Sequence, residues 1–286
     1  FMSVHSSNTG PTIWLTGCMH GDEIGGTVII QELFKKLKTQ LLKGSVLSFP
    51  LMNPFGFENV TRNISISQED LNRAFPGNKK GTLAQRMASL IFEAITKTNP
   101  NLVLDLHNDW NKSIPYAIID KQSNETEMFN KLCQYAKVSG LVSILDTEVI
   151  SNSLTYNLIK NGIPALTMEL GESLTINEKN IEYGIQAIWN ILSEMEMVDD
   201  TGARFQYPVN PMVQQSILSY SSYPLCSSSG IVRFIKKPGE IVKKGDKIAR
   251  IYNAFGKQIE TMCALNKGII LGQTDYAVAF PGFPLM

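Results

Sequence analysis

The chain holds three histidines, His5, His20 and His107, and two of them stand where a metal ion could be held. His20 and Glu23 form an H-x-x-E pair within WLTGCMHGDEIGG, residues 14–26. An imidazole and a carboxylate three residues apart, on a turn that enters a helix, can point at one ion. This is the short-spaced half of a catalytic zinc site, which takes three protein ligands and leaves one position open. The third ligand must come from far along the chain. His107 lies in NLVLDLHND, residues 101–109, directly after the apolar run Leu102 to Leu106. Two strand ends that each present an imidazole match ligands meeting at one edge of a parallel sheet. The competing reading makes each histidine a packed, hydrogen-bonded residue beside a strand, and only structural context decides between them. His5, in a polar terminus, reads as solvated. Cys18 reads as small core filler, although a thiol two residues from His20 could serve as a soft ligand.

Composition narrows the classes. The 286 residues suffice for one large or two ordinary domains, and the 43% apolar fraction supplies a core. Lys+Arg and Asp+Glu are both 26, so the formal net charge is zero, and nothing points to a nucleic-acid or membrane-surface partner. No run of about 18 apolar residues is present, so no membrane-spanning helix is expected. FMSVHSSNTG lacks the basic region and apolar block of a signal peptide. The four cysteines, Cys18, Cys133, Cys226 and Cys263, are scattered. They read as reduced thiols of a cytoplasmic protein.

Around these residues the chain alternates strands and helices. A strand over 13–15 leads through the glycine-flanked turn to a helix from about Gly25 to Lys38. SVLSFPLMN, residues 45–53, reads as a strand covered on both faces, and NPFGFE as a loop marked by Pro54 and Gly56. TRNISISQEDLNRAFPG, residues 61–77, is a long polar connection carrying Arg62, Asn72 and Arg73, and ordered loops of that length are often functional. A helix over 82–98 has Leu83, Met87, Leu90, Ile91 and Ile95 on one face, with Thr82 and Gln85 spaced as a capping box. Strands over 101–107 and 116–120, helices over 126–139 and 155–162, a buried strand ending at Glu169 and a long amphipathic helix within 177–197 complete this part. The pattern predicts an α/β fold with a mostly parallel sheet. After Asp200 helical periodicity stops. Short β-branched runs separated by PG, KG and FG predict an all-β segment. The expected division is an α/β catalytic domain, 1–205, and a small C-terminal β domain, 206–286.

GCMHGDE, NPFGF, TR followed by DLNRAFPG, DLH and TMELG, in that order, resemble the succinylglutamate desuccinylase/aspartoacylase family, relatives of the zinc carboxypeptidases. The resemblance runs over most of the chain and implies a zinc-carboxypeptidase-like sheet, parallel or mixed, with helices on both faces. It also implies one zinc ion per chain, held by His20, Glu23 and His107. Glu169 then matches the general base, Arg62 the group that stabilises the oxyanion, and Asn72 with Arg73 the pair that grips a substrate carboxylate. A zinc ion lowers the pKa of its water to about 7 and polarises the scissile carbonyl, and a planar guanidinium suits a carboxylate bidentately. Asp105 either orients His107 or only ends a strand. Asp22 reads as a helix-start residue, and Glu172 is the weaker competitor for the base. Trp110 and Tyr116 are pocket or packing residues.

The chain departs from aspartoacylase in one respect: no arginine occurs between Arg86 and Arg204. A dicarboxylate recognised through such an arginine is therefore not expected; Lys112 and Lys160 are the available substitutes. The family also uses a C-terminal tyrosine, for which Tyr252 and Tyr276 are candidates. The C-terminal segment resembles a biotinyl/lipoyl-like β domain, but its tip reads NAFGK, and Lys257 is off the pattern of a modified lysine. The sequence thus leads to a zinc-dependent deacylase of a small N-acyl substrate, with homo-oligomers left open. The alternatives are a zinc carboxypeptidase acting on peptides and a non-catalytic binding or carrier protein.

Overall fold

The structure is a computed structural model that describes residues 1–109, 112–121, 126–200, 202–210, 213 and 216–286. The first part of the chain gives strands β1 (Met2–His5), β2 (Thr12–Gly17), β3 (Ser45–Phe49), β4 (Leu102–Asp109), β5 (Lys112–Ser113), β6 (Tyr116–Ile119), β7 (Val142–Leu145), β8 (Ala165–Glu172) and β9 (Ile217–Ser219). All but β5 join one eight-stranded sheet in the order β1-β3-β2-β4-β8-β6-β7-β9. Pairing is antiparallel at β1–β3 and β8–β6 and parallel at the other five contacts. The sheet is therefore mixed. The helices are α1 (Gly25–Gln40), α2 (Pro54–Asn59), α3 (Leu83–Thr96), α4 (Glu127–Val138), α5 (Leu154–Lys160) and α6 (Glu178–Glu194).

Strand alternation decides which side chains reach which layer. Ile13 and Leu15 of β2, with Leu102, Leu104 and Leu106 of β4, pack against α1, α4 and α6. Trp14 and Val103 turn the other way, against Ala84, Ala88, Ile91 and Ile95 of α3 and Leu154 and Leu158 of α5. Helices therefore cover both faces. Each fully buried Leu or Ile contributes roughly 1.5–3 kcal/mol relative to exposure. By the same alternation Asp105 and His107 point to the α3/α5 side. So do Thr167 and Glu169 of β8, whose neighbours Leu166, Met168 and Leu170 belong to the opposite core. Parallel register sets His107 beside Glu169.

Three segments differ from the sequence expectation. NPFGFE is a helix, not a loop. Pro54 sits at its first helical position, where its missing N–H costs nothing, and the Asn53 side chain caps it by accepting from Gly56 N at 2.9 Å. The strand carrying Glu169 continues to Glu172, so Glu169 lies inside β8 and not at its end. The sheet also gains β9, from beyond residue 205, paired with β7. The capping box at Thr82 and Gln85 forms as its spacing predicts.

The remaining strands are β10 (Gly230–Phe234), β11 (Ile241–Val242), β12 (Lys247–Tyr252), β13 (Gln258–Cys263), β14 (Gly268–Ile269), β15 (Gly272–Gln273) and β16 (Val278–Ala279). They form a four-stranded sheet β13-β12-β10-β16 and a pair β11-β14 around Val232, Val242, Ile248, Ile251 and Met262. This β unit is laced to the first part by β15, which pairs with β5 through Gly272↔Ser113 and Gln273↔Lys112.

Candidate metal centre

β2 ends at Gly17, and the chain turns through Cys18 at φ 50° before His20. The turn is pressed against α2: a Cβ on Gly21 would lie 1.9 Å from the Gly56 carbonyl carbon, so only glycine fits. The descending chain places His20 and Glu23 just before α1, with His107 at the far end of β4. All three are almost fully buried. One ligand atom from each of them lies within 4.8 Å of the others, and among the described residues no other group of three His, Cys, Asp or Glu does so. The ring centroids are 5.1 Å apart.

Each imidazole is held between two carboxylates. His20 sets Nδ1 against Glu23 Oε1 at 2.7 Å and Nε2 against Asp70 Oδ1 at 3.2 Å. His107 sets Nδ1 against Glu23 Oε2 at 2.8 Å and Nε2 against Asp105 Oδ2 at 3.0 Å. Asp105 also accepts from Thr16 Oγ1 at 2.7 Å. Both Nδ1 atoms therefore face the Glu23 carboxylate, and both Nε2 atoms face a carboxylate behind. An outer carboxylate on the second ring nitrogen is the usual support of a metal-bound histidine. The donor chemistry thus fits a divalent ion bound by two Nδ1 atoms and Glu23. Asp105 takes the orienting alternative of its two readings. Asp70, which sequence reasoning missed, does the same for His20. Its only signal was its place at the head of DLNR, where it caps the 3₁₀ turn Leu71–Arg73 through Asn72 N.

Charge follows the geometry. Burial alone would raise Glu23, but the imidazoles of His20 and His107 outweigh it and hold this carboxyl far below the usual range. Burial would likewise lower His107, yet Asp105 and Glu23 keep it well above an ordinary histidine. Glu169 is pushed well up, by burial first and then by the charges of Asp109 and Glu23, against the pull of His107 and Arg62. Glu169 Oε2 is buried and has no hydrogen-bond partner among the described residues. A polar atom left so carries a cost that a ligand can remove. Cys18 goes the other way from a ligand: burial, then Glu23 and Asp22, push its thiol up to about 12.

A cavity of about 150 Å³ opens on this cluster and is lined by all seven residues singled out from the sequence, His20, Glu23, Arg62, Asn72, Arg73, His107 and Glu169. Arg62 bridges Glu23 Oε1 at 3.3 Å and Asp70 Oδ2 at 3.2 Å. Asn72 Oδ1 accepts from Leu154 N at 2.9 Å, which leaves Nδ2 as its donor. A second cavity of about 270 Å³ shares Glu23 and Arg62 and is walled by Thr274, Asp275, Tyr276 and Phe283 of the β unit. Of the two tyrosine candidates Tyr276 lines this second cavity, whereas Tyr252 bonds to Gln258 on the hairpin of β12 and β13.

The other candidates make contacts of their own, and Asp22 also lines the 270 Å³ cavity. Glu172 accepts from Asn177 and Asn180 at the start of α6. Asp22 does not begin α1, whose N-cap is Ile24. Tyr116 is buried and donates to Asp109 Oδ2 at 2.7 Å. His5 meets Ser45 on an exposed edge. Neither Lys112 nor Lys160 lines the 150 Å³ cavity. Trp110 lies outside the described residues.

Residues 9–195 match the succinylglutamate desuccinylase/aspartoacylase catalytic domain. The N-alpha-acetyl-L-2,4-diaminobutyric acid deacetylase of Halomonas elongata is 27% identical over 266 residues, 88% of this chain and 73% of the relative. A succinylglutamate desuccinylase structure from Silicibacter sp. TM1040 superposes with a TM-score of 0.83 at 19% identity, over 99% of this chain and 85% of that one. The fold reaches as far as a metallo-carboxypeptidase from Burkholderia cenocepacia, at a TM-score of 0.56 and 14% identity over 68% of this chain and 60% of that one. The chain belongs to the succinylglutamate desuccinylase/aspartoacylase family.

Proposed function

We propose that this protein is a zinc-dependent hydrolase that removes the acyl group from an N-acylated amino acid or a similar small carboxylate-bearing amide. One observation carries the reading. Two imidazoles and a carboxylate converge within 4.8 Å, and a second carboxylate, Glu169, whose Oε2 has no partner among the described residues, stands on the wall of the same cavity. The deacetylase activity in the name of the Halomonas relative supports it.

In this reading Nδ1 of His20, Nδ1 of His107 and the Glu23 carboxylate would hold the ion. Zinc so held supplies an acidified water and an electrophile for the carbonyl. Glu169 Oε2 takes the proton from the attacking water and returns it to the leaving amine nitrogen. A carboxyl held above its usual range by burial is suited to both halves of that transfer. Arg62, anchored by Glu23 and Asp70, offers its guanidinium to the negative charge that develops on the carbonyl oxygen. Asn72 Nδ2 and Arg73 grip the substrate carboxylate, and Tyr276 closes the side facing the β unit. A cavity of about 150 Å³ favours this over a peptide-cleaving carboxypeptidase. We read residues 1–205 as the catalytic unit and 206–286 as a β unit of biotinyl/lipoyl-like form that docks through β9 and β15. No helix among the described residues is long and apolar enough to cross a membrane.

The test combines elemental analysis with turnover. Protein purified without chelator should carry about one zinc per chain and release amine from members of an N-acyl amino acid panel. Glu169→Gln should keep the metal and lose nearly all turnover. Protein free of metal, or a fully active Glu169→Gln, refutes the reading.

A further inference from the structure

Asn108 follows His107 on β4 and is 5% exposed. It was not among the residues singled out from the sequence. Strand alternation turns its side chain away from that of His107 and toward α1. There Asn108 Oδ1 accepts from the N–H of Gly25, the first residue of the helix, at 2.9 Å. Ile24, at the N-cap of α1, offers no side-chain cap, so Asn108 satisfies a free helix N–H from across the fold. A Cβ on Gly25 would lie 2.7 Å from both polar atoms of this amide, so only glycine allows so close an approach. The backbone N–H of Asn108 donates to Glu23 Oε2 at 3.2 Å. Asn108 is thus fixed through its main chain and its side chain alike.

This anchoring decides which way the amide faces. A backbone N–H can only donate, so the atom against Gly25 is the oxygen and the outer one is the nitrogen. Nδ2 donates to no described residue, yet, unlike Glu169 Oε2, it keeps accessible surface. Asn108 borders both the 150 Å³ and the 270 Å³ cavity. For a residue so deeply buried, the open surface of Nδ2 is cavity surface. Glu23 and Arg62 border both cavities too, and Arg62 Nη1 meets the other oxygen of the Glu23 carboxylate at 3.3 Å. Asn108 and Arg62 therefore flank one carboxylate from its two oxygens. The free N–H of Nδ2 calls for an acceptor. A small N-acyl amino acid offers carboxylate oxygens and the scissile carbonyl oxygen. Asn72 and Arg73, which grip the carboxylate in the reading above, border the 150 Å³ cavity but not the 270 Å³ one. The carbonyl oxygen, placed beside Glu23 and Arg62 where the two cavities meet, is the acceptor left for Nδ2.

We propose that Asn108 is a catalytic residue whose Nδ2 donates, beside Arg62, to the carbonyl oxygen of the scissile amide. The inference rests on the deacylase reading above and adds a group to its machinery. As the water oxygen bonds to the carbonyl carbon, the C=O electron pair moves onto the carbonyl oxygen and the bond from Nδ2 strengthens. When the C–N bond breaks, that pair returns and the amine leaves with the proton from Glu169. A neutral donor locked in place beforehand needs no reorganisation at the moment of reaction, whereas the Arg62 side chain is half-exposed.

The test uses two substitutions with opposite side effects. Asn108→Asp keeps an acceptor for Gly25 N but turns the donor into a charged acceptor. Asn108→Ala adds no charge but frees Gly25 N. With the amide of the panel that is cleaved fastest, both should lose about 10²–10³ in kcat, with KM within threefold and the zinc content unchanged. A phosphonamidate analogue of that amide, tetrahedral at phosphorus, should lose affinity by the same factor as kcat/KM, while the product amino acid binds within threefold of wild type. A kcat within threefold of wild type in either variant overturns the proposal. So does a loss shared equally by analogue and product, or one that follows lost zinc, because the side chain then only caps α1 and steadies Glu23. If the wild type cleaves no amide, the deacylase reading fails by itself. Calorimetry of the metal-loaded protein with methylphosphonate then decides the role of Nδ2. Binding at least tenfold weaker in Asn108→Ala, with zinc retained, upholds an oxygen-binding donor, and equal binding overturns it.

Discussion

Asp105→Asn separates orientation of a metal ligand from support of the fold. Asp105 is 1% exposed, with Oδ1 on the Thr16 hydroxyl at 2.7 Å and Oδ2 on His107 Nε2 at 3.0 Å. Asparagine has the same shape. Its carbonyl oxygen must take the His107 side, because Nε2–H is a donor, and its amide nitrogen then faces Thr16. The Thr16 hydroxyl can accept that amide and turn its own proton to the Leu104 carbonyl, already 3.4 Å away. No buried hydrogen bond is left unmade, so the fold should hold; the metal-free protein does lose the charge that pairs with the His107 imidazole, so its melting temperature should fall at neutral pH and less at high pH, where the ring is neutral in either variant. What disappears is the negative charge behind His107, which raises the basicity of the ring. Loss of such an outer partner weakens metal binding by roughly 10–100-fold, or about 1.4–2.7 kcal/mol at 1.36 kcal/mol per decade. Competition with a chromophoric zinc chelator at fixed pH measures it. A dissociation constant within twofold of wild type would refute the orienting role. Loss of the folded state in the metal-free variant would show that Asp105 is structural first.

Other perturbations probe other levels of the structure. Asp120 is raised from 3.8 to about 6, chiefly by burial, so its contribution to stability is complete below about pH 4 and is lost as pH rises through 6. Asp120→Asn should flatten the stability profile across that window and gain at most about 3 kcal/mol at pH 8; an unchanged slope in denaturant titrations counts against the shift. Gly21→Ala drives a Cβ into the backbone of α2. It should cost about 3 kcal/mol or more of stability and disturb His20; a variant as stable as wild type would contradict that packing. Thr82→Ala removes one half of the capping box and should lower stability by about 1 kcal/mol with zinc affinity unchanged.

The site was legible in the sequence where its parts are short-range or sit on the sheet axis. H-x-x-E and D-x-H each lie on one turn or strand, and β2 and β4 are direct neighbours, so His20, Glu23 and His107 could be brought together on paper. Thr82 and Gln85 likewise form a purely local device. Asp70 was hidden because it acts across 50 residues from a polar loop with no periodicity. Asp120 and Asp146, which also line the 150 Å³ cavity, were hidden because β6 returns antiparallel beside β8 and out of sequence order, which no local pattern encodes. NPFGFE was misread because Pro and Gly punctuate a chain in general, while Pro after an asparagine cap begins a helix. The two-residue strands and β9 are too short to carry a pattern, yet they decide how the β unit meets the sheet.

The pairing of β5 with β15 also bears on how the polypeptide is made. Its members, Ser113 and Gly272, are 159 positions apart (272 − 113). On a ribosome the segment at 112–113 emerges long before its mate, as does β7 before β9. Contacts of such long span are slow to form. The rim of the cleft is therefore the last region to be completed, and a nascent chain halted near residue 200 would hold its imidazoles but leave bare strand edges ready to stick to other chains.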